Sequence, residues 1–217
     1  MLSESMYSFV YNTQGVLKMP KDYSTLPANQ LRRIDRAVHE DAWIIDLLQR
    51  APVATLATVY EGQPFINTNL FVYEEDKHIV YMHTARSGRT RNNVNEEERI
   101  CLSVFEMGRL LPDKIALEFS VEYAGVNIFG RATVIDGDES QHALQLLCDK
   151  YFPHLQPGID YRPANLLELK RTSVYRIAID SWSGKKKEVA DDFPGAFFYG
   201  QQKILTTEDA EITEKKS

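Results

Sequence analysis

Cysteine is scarce in this chain of 217 residues, which has only Cys101 and Cys148, in unrelated segments and outside any Cys-x-x-Cys or Cys/His cluster. We therefore expect neither a disulfide scaffold nor a structural zinc site, and no metal centre. No apolar run approaches the roughly 18–20 residues that a membrane span needs, and the first six residues lack the basic and apolar regions of a signal peptide. The sequence predicts a soluble, cytoplasmic protein with no membrane partner.

The chain also lacks the positive charge of a dedicated nucleic-acid-binding protein. Its formal net charge is −6 and its pI is near 5.4, so any anion it binds must be held by a local group of basic residues. The sequence has no Walker loop, Gly-x-Ser-x-Gly elbow or His-Glu-x-x-His helix, which argues against the NTPases, hydrolases and zincins that use them. With 43% hydrophobic and 26% charged residues, its composition is that of an ordinary globular protein.

The pattern along the chain predicts one central domain with an extension at each end. Residues 1–30 mix glycine and proline with aromatic residues and show no sustained period, so we interpret them as an N-terminal arm. Its aromatic residues suggest that the arm docks on the domain; they are Tyr7, Phe9 and Tyr11. Residues 31–190 form the central domain, and residues 191–217 form a C-terminal extension whose charged tail, from Lys203, we expect to fray.

Most of the central domain has the pattern of β-strands. Helical spacing extends from Asp35 to Arg50, and a second helix follows an N-cap at Asp138. Strand patterns cover residues 53–60, 65–73, 78–83, 100–105, 117–135 and 173–180. The sequence therefore predicts a mainly β protein, a six-stranded antiparallel β-barrel, closed or half-closed, with peripheral helices, because this arrangement removes exposed sheet edges.

A basic turn follows the third strand pattern, between His83 and Asn93. It combines Gly88, arginines and hydroxyl side chains with a helix that we predict to start at Ser87. Backbone N–H groups at a helix N-terminus and guanidinium groups both suit a phosphate. The alternative is a solvated basic face whose arginines pair with the glutamates at 96–98. The range of histidine pKa values would allow His83 to transfer protons, although a lone histidine more often has a structural role and no orienting acid is evident.

Two further segments have two interpretations each. Asn67, Thr68 and Asn69 interrupt an otherwise apolar strand, where they either face solvent or bond the edge of a flat heteroaromatic ligand. After the last strand, Trp182-Ser183-Gly184-Lys185 either stacks on and bonds a cofactor or anchors the end of the strand.

Together these segments resemble the flavin-binding split-barrel superfamily of pyridoxamine 5'-phosphate oxidase-like proteins, and within it the Nim-type proteins associated with 5-nitroimidazole resistance. The resemblance covers about residues 30–190. The matching segments are Ala51–Thr58, Pro64–Ile66, His83-Thr84 with Gly88-Arg89 and Arg91, Glu118–Tyr123, Phe129–Ala132, Leu169–Tyr175 and Ile179–Lys185.

The resemblance implies a homodimer of six-stranded split barrels, with two flavin sites at the interface and FMN as the usual ligand. The residues that it places at the phosphate end of the flavin are Ser87, Gly88, Arg89 and Arg91, and Thr84 is a further cofactor-binding residue. Those that it places along the isoalloxazine ring are Asn67, Thr68 and Asn69. It brings Trp182 and Lys185 to the site from near the interface, from the partner chain, and it matches His83 to a histidine beside the flavin, as the candidate catalytic residue.

The sequence departs from many relatives at the basic turn. They carry Gly-His-Lys where this chain has Gly88-Arg89-Thr90, so Arg89 or Arg91 must replace the lysine that meets the phosphate. The expected function is that of an FMN-dependent oxidoreductase, with nitro compounds such as 5-nitroimidazoles as candidate substrates. The alternatives are a flavin-binding or storage protein without turnover and a haem-binding split-barrel protein with His83 or another histidine as axial ligand. Some family members use a deazaflavin instead.

Overall fold

The computed structural model describes residues 22–201, so Tyr7, Phe9, Tyr11 and the tail from Lys203 lie outside the described residues. Strands within this range are β1 (Ala37–Val38), β2 (Ala54–Tyr60), β3 (Gln63–Asn69), β4 (Phe71–Glu74), β5 (Ile79–Ala85), β6 (Arg99–Leu111), β7 (Ser120–Ile135) and β8 (Thr172–Lys187). The α-helices are α1 (Asp41–Arg50), α2 (Arg89–Glu96), α3 (Gly137–Tyr151) and α4 (Leu166–Leu169). The prediction of a mainly β protein is confirmed.

The strands form one antiparallel sheet whose two edges are joined by the chain itself. Their order is β3-β2-β6-β7-β8-β5-β4, and β1 adds to β8. Because β3 and β4 are the two edge strands and only Leu70 separates them, the edges meet at that residue, as in a split barrel. The described sheet has eight strands instead of the expected six, because residues 65–73 divide at Leu70 and Ala37–Val38 pairs with β8.

The first helix is shorter than its sequence period suggested. We predicted a helix over 35–50, but α1 begins at Asp41, and Ala37 and Val38 pair instead with Lys185 and Gly184 of β8. This pairing connects residues far apart in sequence, so it cannot be predicted from the spacing of neighbouring apolar residues. The second helix, α3, begins at Gly137 with Asp136 as its N-cap residue, so Asp138 lies in its first turn.

Apolar side chains fill the barrel and a second layer outside it. Helix α1 buries Ile44, Leu47 and Leu48 against the barrel interior, where the fully buried residues include Leu56, Leu102, Ile128 and Ile177. Helix α3 packs on the other face of the sheet, in a cluster of Val72, Tyr81, Ala143, Leu147 and Val174. Burial of each valine, leucine or isoleucine side chain contributes roughly 1.5–3 kcal/mol, so the two layers fix the positions of β4, β5 and β8. No helix within residues 22–201 is long and apolar enough to cross a membrane.

Candidate functional site

A side-chain bridge connects the end of β3 to β5, where the two edges of the sheet meet. The Nδ2 atom of Asn69 donates to the His83 carbonyl oxygen at 2.6 Å, and its Oδ1 accepts from the Leu70 backbone N–H at 2.8 Å. Asn69 is half-buried, so both bonds are partly shielded from water. Asparagine therefore joins β3 to β5 at the point where the edges come together.

The three polar residues of β3 divide between the two faces of the strand. Asn67 is half-buried and its Nδ2 donates to the Thr90 hydroxyl of α2 at 3.3 Å. Thr68 lies on the opposite face, as alternation along a strand requires, and its hydroxyl is 2.8 Å from that of Thr55 in β2. The interpretation in which Asn67 and Asn69 both face solvent is therefore wrong.

Glycine is required at the turn that precedes α2. Gly88 has φ 154° and ψ 171°, a conformation that L side chains rarely adopt, although a Cβ there would meet no atom within 4 Å. The helix begins at Arg89, two residues after the predicted start at Ser87, and no side chain caps its N-terminus. Its first backbone N–H groups thus have no partner within the helix, which favours a negatively charged group at this end.

Arginines gather at this turn without carboxylate partners. Within residues 22–201, no ion pair involves any of Arg86, Arg89, Arg91 and Arg171. Of the expected alternative partners, Glu97 pairs with Arg99 and Glu98 with Arg131, and no ion pair among the described residues involves Glu96. The basic turn is consequently not neutralised by the glutamates that follow it in sequence.

Hydrogen bonds to β8 hold the turn in place. The NH1 atom of Arg91 donates to the Ser173 hydroxyl at 2.7 Å, and that hydroxyl donates to the Arg86 carbonyl at 3.1 Å. Thr84, at the end of β5, has its hydroxyl 2.8 Å from that of Tyr175. Ser87 and Arg89 are exposed, so they are available to a ligand, whereas Thr84 and Arg91 already have protein partners.

His83 lies at the junction of these groups with one ring nitrogen unpaired. Its Nδ1 atom is buried and has no hydrogen-bond partner among the described residues. Burial lowers the pKa of His83 below its ordinary value of 6.5, so the ring is neutral at neutral pH. A neutral imidazole carries one N–H donor and one acceptor, and a buried ring nitrogen without a partner is costly, which points to a missing polar neighbour.

Trp182 and Lys185 lie far from the basic turn within one chain. Val174 is the residue opposite His83, and Trp182 lies eight residues beyond it, about 25 Å along an extended strand. The indole Nε1 donates to Asp41 at 3.0 Å. The Lys185 Nζ atom is 5.2 Å from the centre of the Tyr123 ring. One chain therefore does not bring these two residues together with the rest of the predicted site.

Two buried polar residues of α2 next to the site were not predicted from the sequence. Asn93 of α2 is buried, and its Nδ2 donates to the Thr58 hydroxyl at 3.0 Å while its Oδ1 has no partner among the described residues. Thr90 is also buried, beside Asn67. The spacing of Thr90 and Asn93, three residues apart on α2, is a signal that could have identified an inward polar face.

The residues present fit a planar heterocycle that carries a phosphate. Unpaired arginines and an uncapped helix N-terminus suit the anionic end, whereas Asn67, Asn69 and the unpaired Nδ1 of His83 offer hydrogen bonds to a ring. In the described part of the chain, no group of three or more His, Cys, Asp or Glu residues is arranged to hold a metal ion.

The sequence of the chain matches a known protein family. Residues 40–186 match the profile of the family described as pyridoxamine 5'-phosphate oxidase. The chain belongs to the pyridoxamine 5'-phosphate oxidase family. The family match extends from the residue before α1 almost to the end of β8, so it includes every candidate residue above. A search of curated proteins found no match.

Several solved structures share the fold of this chain. An FAD- and haem-binding protein from Mycobacterium smegmatis is 25% identical, over 71% of this chain and 74% of that one, with a TM-score of 0.64. A flavocytochrome from Azotobacter vinelandii is 24% identical, over 84% and 78%, with a TM-score of 0.65. A protein described as conferring 5-nitroimidazole antibiotic resistance, from Bacteroides thetaiotaomicron, is 18% identical, over 70% and 90%, with a TM-score of 0.57.

Proposed function

We propose that this protein binds a flavin between β3 and α2, with the flavin phosphate at the Gly88 turn. The observation that carries this proposal is the group of arginines without carboxylate partners at the uncapped start of α2. In a chain with a net charge of −6, such a group favours an anionic ligand over solvent. Membership of the pyridoxamine 5'-phosphate oxidase family supports a flavin as that ligand.

FMN is the flavin that we propose first, with a distinct role for each arginine. Arg91 is fixed by Ser173, so it supplies a preoriented guanidinium, and the exposed Arg89 can close on the phosphate from solvent. Together they replace the lysine of the Gly-His-Lys sequence found in many relatives. FAD is the alternative, because a similar protein from Mycobacterium smegmatis binds FAD and Arg86 and Arg171 leave positive charge for a second phosphate.

At the ring end, Asn67 and Asn69 orient the heterocycle and His83 supplies a hydrogen bond. A bound flavin would supply the redox chemistry, while the protein binds, orients and shields it. The neutral His83 ring can donate or accept a proton at a group beside it, which suits the reduction of a nitro compound. On these grounds we propose an FMN-dependent oxidoreductase, with nitro compounds such as 5-nitroimidazoles as candidate substrates.

We also propose that the protein is a homodimer. The outer face of β2, β3 and β6 leaves apolar side chains in solvent, among them Ile66 at 65% and Phe105 at 62% exposure. A second copy is the partner that we propose for this face, because a single chain separates Trp182 and Lys185 from the turn that they are expected to complement. In the dimer, these two residues would reach the flavin site of the other chain.

The first experiment is an absorption spectrum of the purified protein from 300 to 700 nm, with mass analysis of the ligand released by heat. Oxidised-flavin bands with released FMN support the proposal, and a released FAD would correct the identity of the flavin. A Soret band that disappears in His83→Ala would support haem instead. A colourless protein that also fails to bind added FMN or FAD contradicts flavin binding.

Replacing Arg89 and Arg91 together with alanine should weaken FMN binding by at least about 100-fold, since two charge-assisted bonds to phosphate are lost. Fluorescence titration of the apoprotein with FMN measures the change. Arg99→Ala is the matched control, because Arg99 is exposed and pairs with Glu97. Unchanged affinity in the double variant would remove the phosphate assignment.

Turnover separates the oxidoreductase from a protein that only stores flavin. The holoprotein should reduce 5-nitroimidazoles well above the rate of free FMN at equal flavin concentration when a chemical reductant is supplied. A rate equal to that of free FMN across a panel of nitroaromatic compounds would favour storage.

A further inference from the structure

Lys150, near the end of α3, occupies an apolar position without a counter-ion. Its Nζ atom lies 3.8 Å from the centre of the Phe71 ring and donates to the Leu48 carbonyl oxygen at 3.1 Å. Among the residues that the structure describes, no carboxylate forms an ion pair with it. The residue is half-buried, so part of its side chain is exposed to solvent.

The sequence explains why Leu48 needs this donor. In the last turn of α1, the Leu47 carbonyl accepts the Ala51 N–H, but the residue that would serve Leu48 in the same way is Pro52, which has no N–H. Lys150 supplies the missing hydrogen bond from α3. The amine therefore caps the C-terminal end of α1 through Leu48 and also contacts the Phe71 ring of β4.

Charged groups on the elements around Lys150 are engaged with other partners. On α1, Asp46 pairs with Arg50; on α3, Asp149 accepts from Gln145. On β4, Glu74 pairs with His142 and with Lys77 at 3.1 Å, and the adjacent Glu75 accepts from Gln49. With no anion to stabilise the ammonium form, burial lowers the pKa of Lys150 from 10.5 to about 8.

We propose that Lys150 is a modification site, a nucleophilic lysine that accepts acyl groups from activated acyl donors such as acyl phosphates and thioesters. The neutral amine attacks the donor carbonyl carbon, and an N–C bond forms as the C–O bond to phosphate or the C–S bond to thiol breaks. Phosphate or thiol leaves, the nitrogen releases a proton to water, and no oxidation state changes. This proposal is independent of flavin binding.

Acylation at this position would affect the junction of α1, α3 and β4. The modified nitrogen is uncharged, so the cation at the C-terminal end of α1 is lost, and the acyl group must fit beside the Phe71 ring. Phe71 follows Leu70, the residue at which the two sheet edges meet. We expect the acylated protein to melt a few degrees lower than the unmodified protein.

The test uses the full-length protein and acetyl phosphate, with peptide mass spectrometry to measure the acetylated fraction of each lysine over time. At pH 7.5, Lys150 should acetylate about tenfold faster than Lys77 and Lys114, because the apolar surroundings of its amine, without a counter-ion, favour the neutral, nucleophilic form. Its rate should rise with pH and level off above a midpoint near pH 8.

Matched variants separate a reactive lysine from general labelling. Lys150→Arg should remove this fast phase and leave the rates at Lys77 and Lys114 unchanged, whereas Lys77→Arg should leave the fast phase intact. If Lys150 reacts no faster than Lys77 and Lys114 at pH 7.5, the proposal is overturned.

Discussion

At the scale of single residues, Arg109 and Glu122 show how one ion pair attaches a whole segment. The Nε and NH2 atoms of Arg109 donate to the two oxygens of Glu122 at 2.7 and 2.8 Å, and both side chains are shielded, at 16% and 13% exposure. Arg109 also donates to the Ala190 and Asp191 carbonyls, and Glu122 accepts the Val189 N–H. The pair thereby fixes the start of the C-terminal extension to β6 and β7.

The pH dependence of this pair can be predicted with its sign. Hydrogen bonds from Arg109 lower the pKa of Glu122 from 4.5 to about 2. A lowered carboxyl pKa stabilises the folded state fully above pH 4.5, and this contribution is lost as the pH falls towards 2. Glu122→Gln should therefore cost about 1–3 kcal/mol of unfolding free energy at pH 7, and less in acid.

Urea unfolding of both proteins at pH 7, 4 and 3 measures this difference. The control is Glu188→Gln, because Glu188 is exposed and its pair with Lys186 lies at the surface, where we expect a change within about 0.5 kcal/mol. A difference between Glu122→Gln and the native protein that stays constant down to pH 3 would contradict the pKa assignment.

At the scale of elements, local sequence patterns predicted most strands. The start of α1 and the partners of the basic turn depend on pairing between residues far apart in sequence. The alternation of β2, β5 and β8 is visible in the sequence because one face of each strand is buried. The start of α1 is not visible in the sequence, because Ala37 and Val38 follow the helical period of the helix but pair with β8. In the same way, the basic turn was predictable from its composition, but its lack of carboxylate partners depends on where Arg99 and Arg131 lie in the fold.

Close approach of two strands makes Gly130 sensitive to substitution. The β7–β8 register shifts between Phe129 and Gly130, and a Cβ at Gly130 would lie 2.1 Å from the Ala178 carbonyl oxygen. Because that oxygen belongs to the backbone, the strands must separate to admit a methyl group. We expect Gly130→Ala to destabilise the protein by about 2–4 kcal/mol, measured by urea unfolding monitored by circular dichroism.

Gly125 in the same strand is a matched control for this substitution. A Cβ there would lie 3.5 Å from its nearest neighbour, the Val104 carbonyl oxygen, which is an ordinary contact. Gly125→Ala should therefore change the stability by less than about 1 kcal/mol. Equal losses in the two variants would show that the close approach to Ala178 is not the cause.

At the scale of the whole molecule, the proposed flavin site requires residues from two chains of a dimer. The basic turn and the segment with Trp182 and Lys185 lie at distant positions along β8, yet both are expected at the flavin. If the partner chain supplies the second segment, each dimer holds two composite sites. A homodimer of a variant with substitutions in either segment then has two damaged sites.

Mixing two damaged variants tests this arrangement directly. One variant carries Arg89→Ala with Arg91→Ala, and the other carries Trp182→Ala with Lys185→Ala. In a mixed dimer, one site receives both damaged segments and the other receives both intact ones. Co-refolding equal amounts should therefore restore native-affinity FMN binding at about a quarter of all sites, because half of the dimers are mixed and each has one intact site.

The control is a mixture of the same two variants without co-refolding, which should restore no binding while the homodimers stay intact. Size-exclusion chromatography with light scattering establishes that the refolded species are dimers. If both segments instead serve the site of their own chain, every site in the mixed dimer has one damaged segment and no high-affinity binding returns. Because the composite arrangement alone yields an intact site from two damaged chains, recovery of binding depends on exchange of segments between chains.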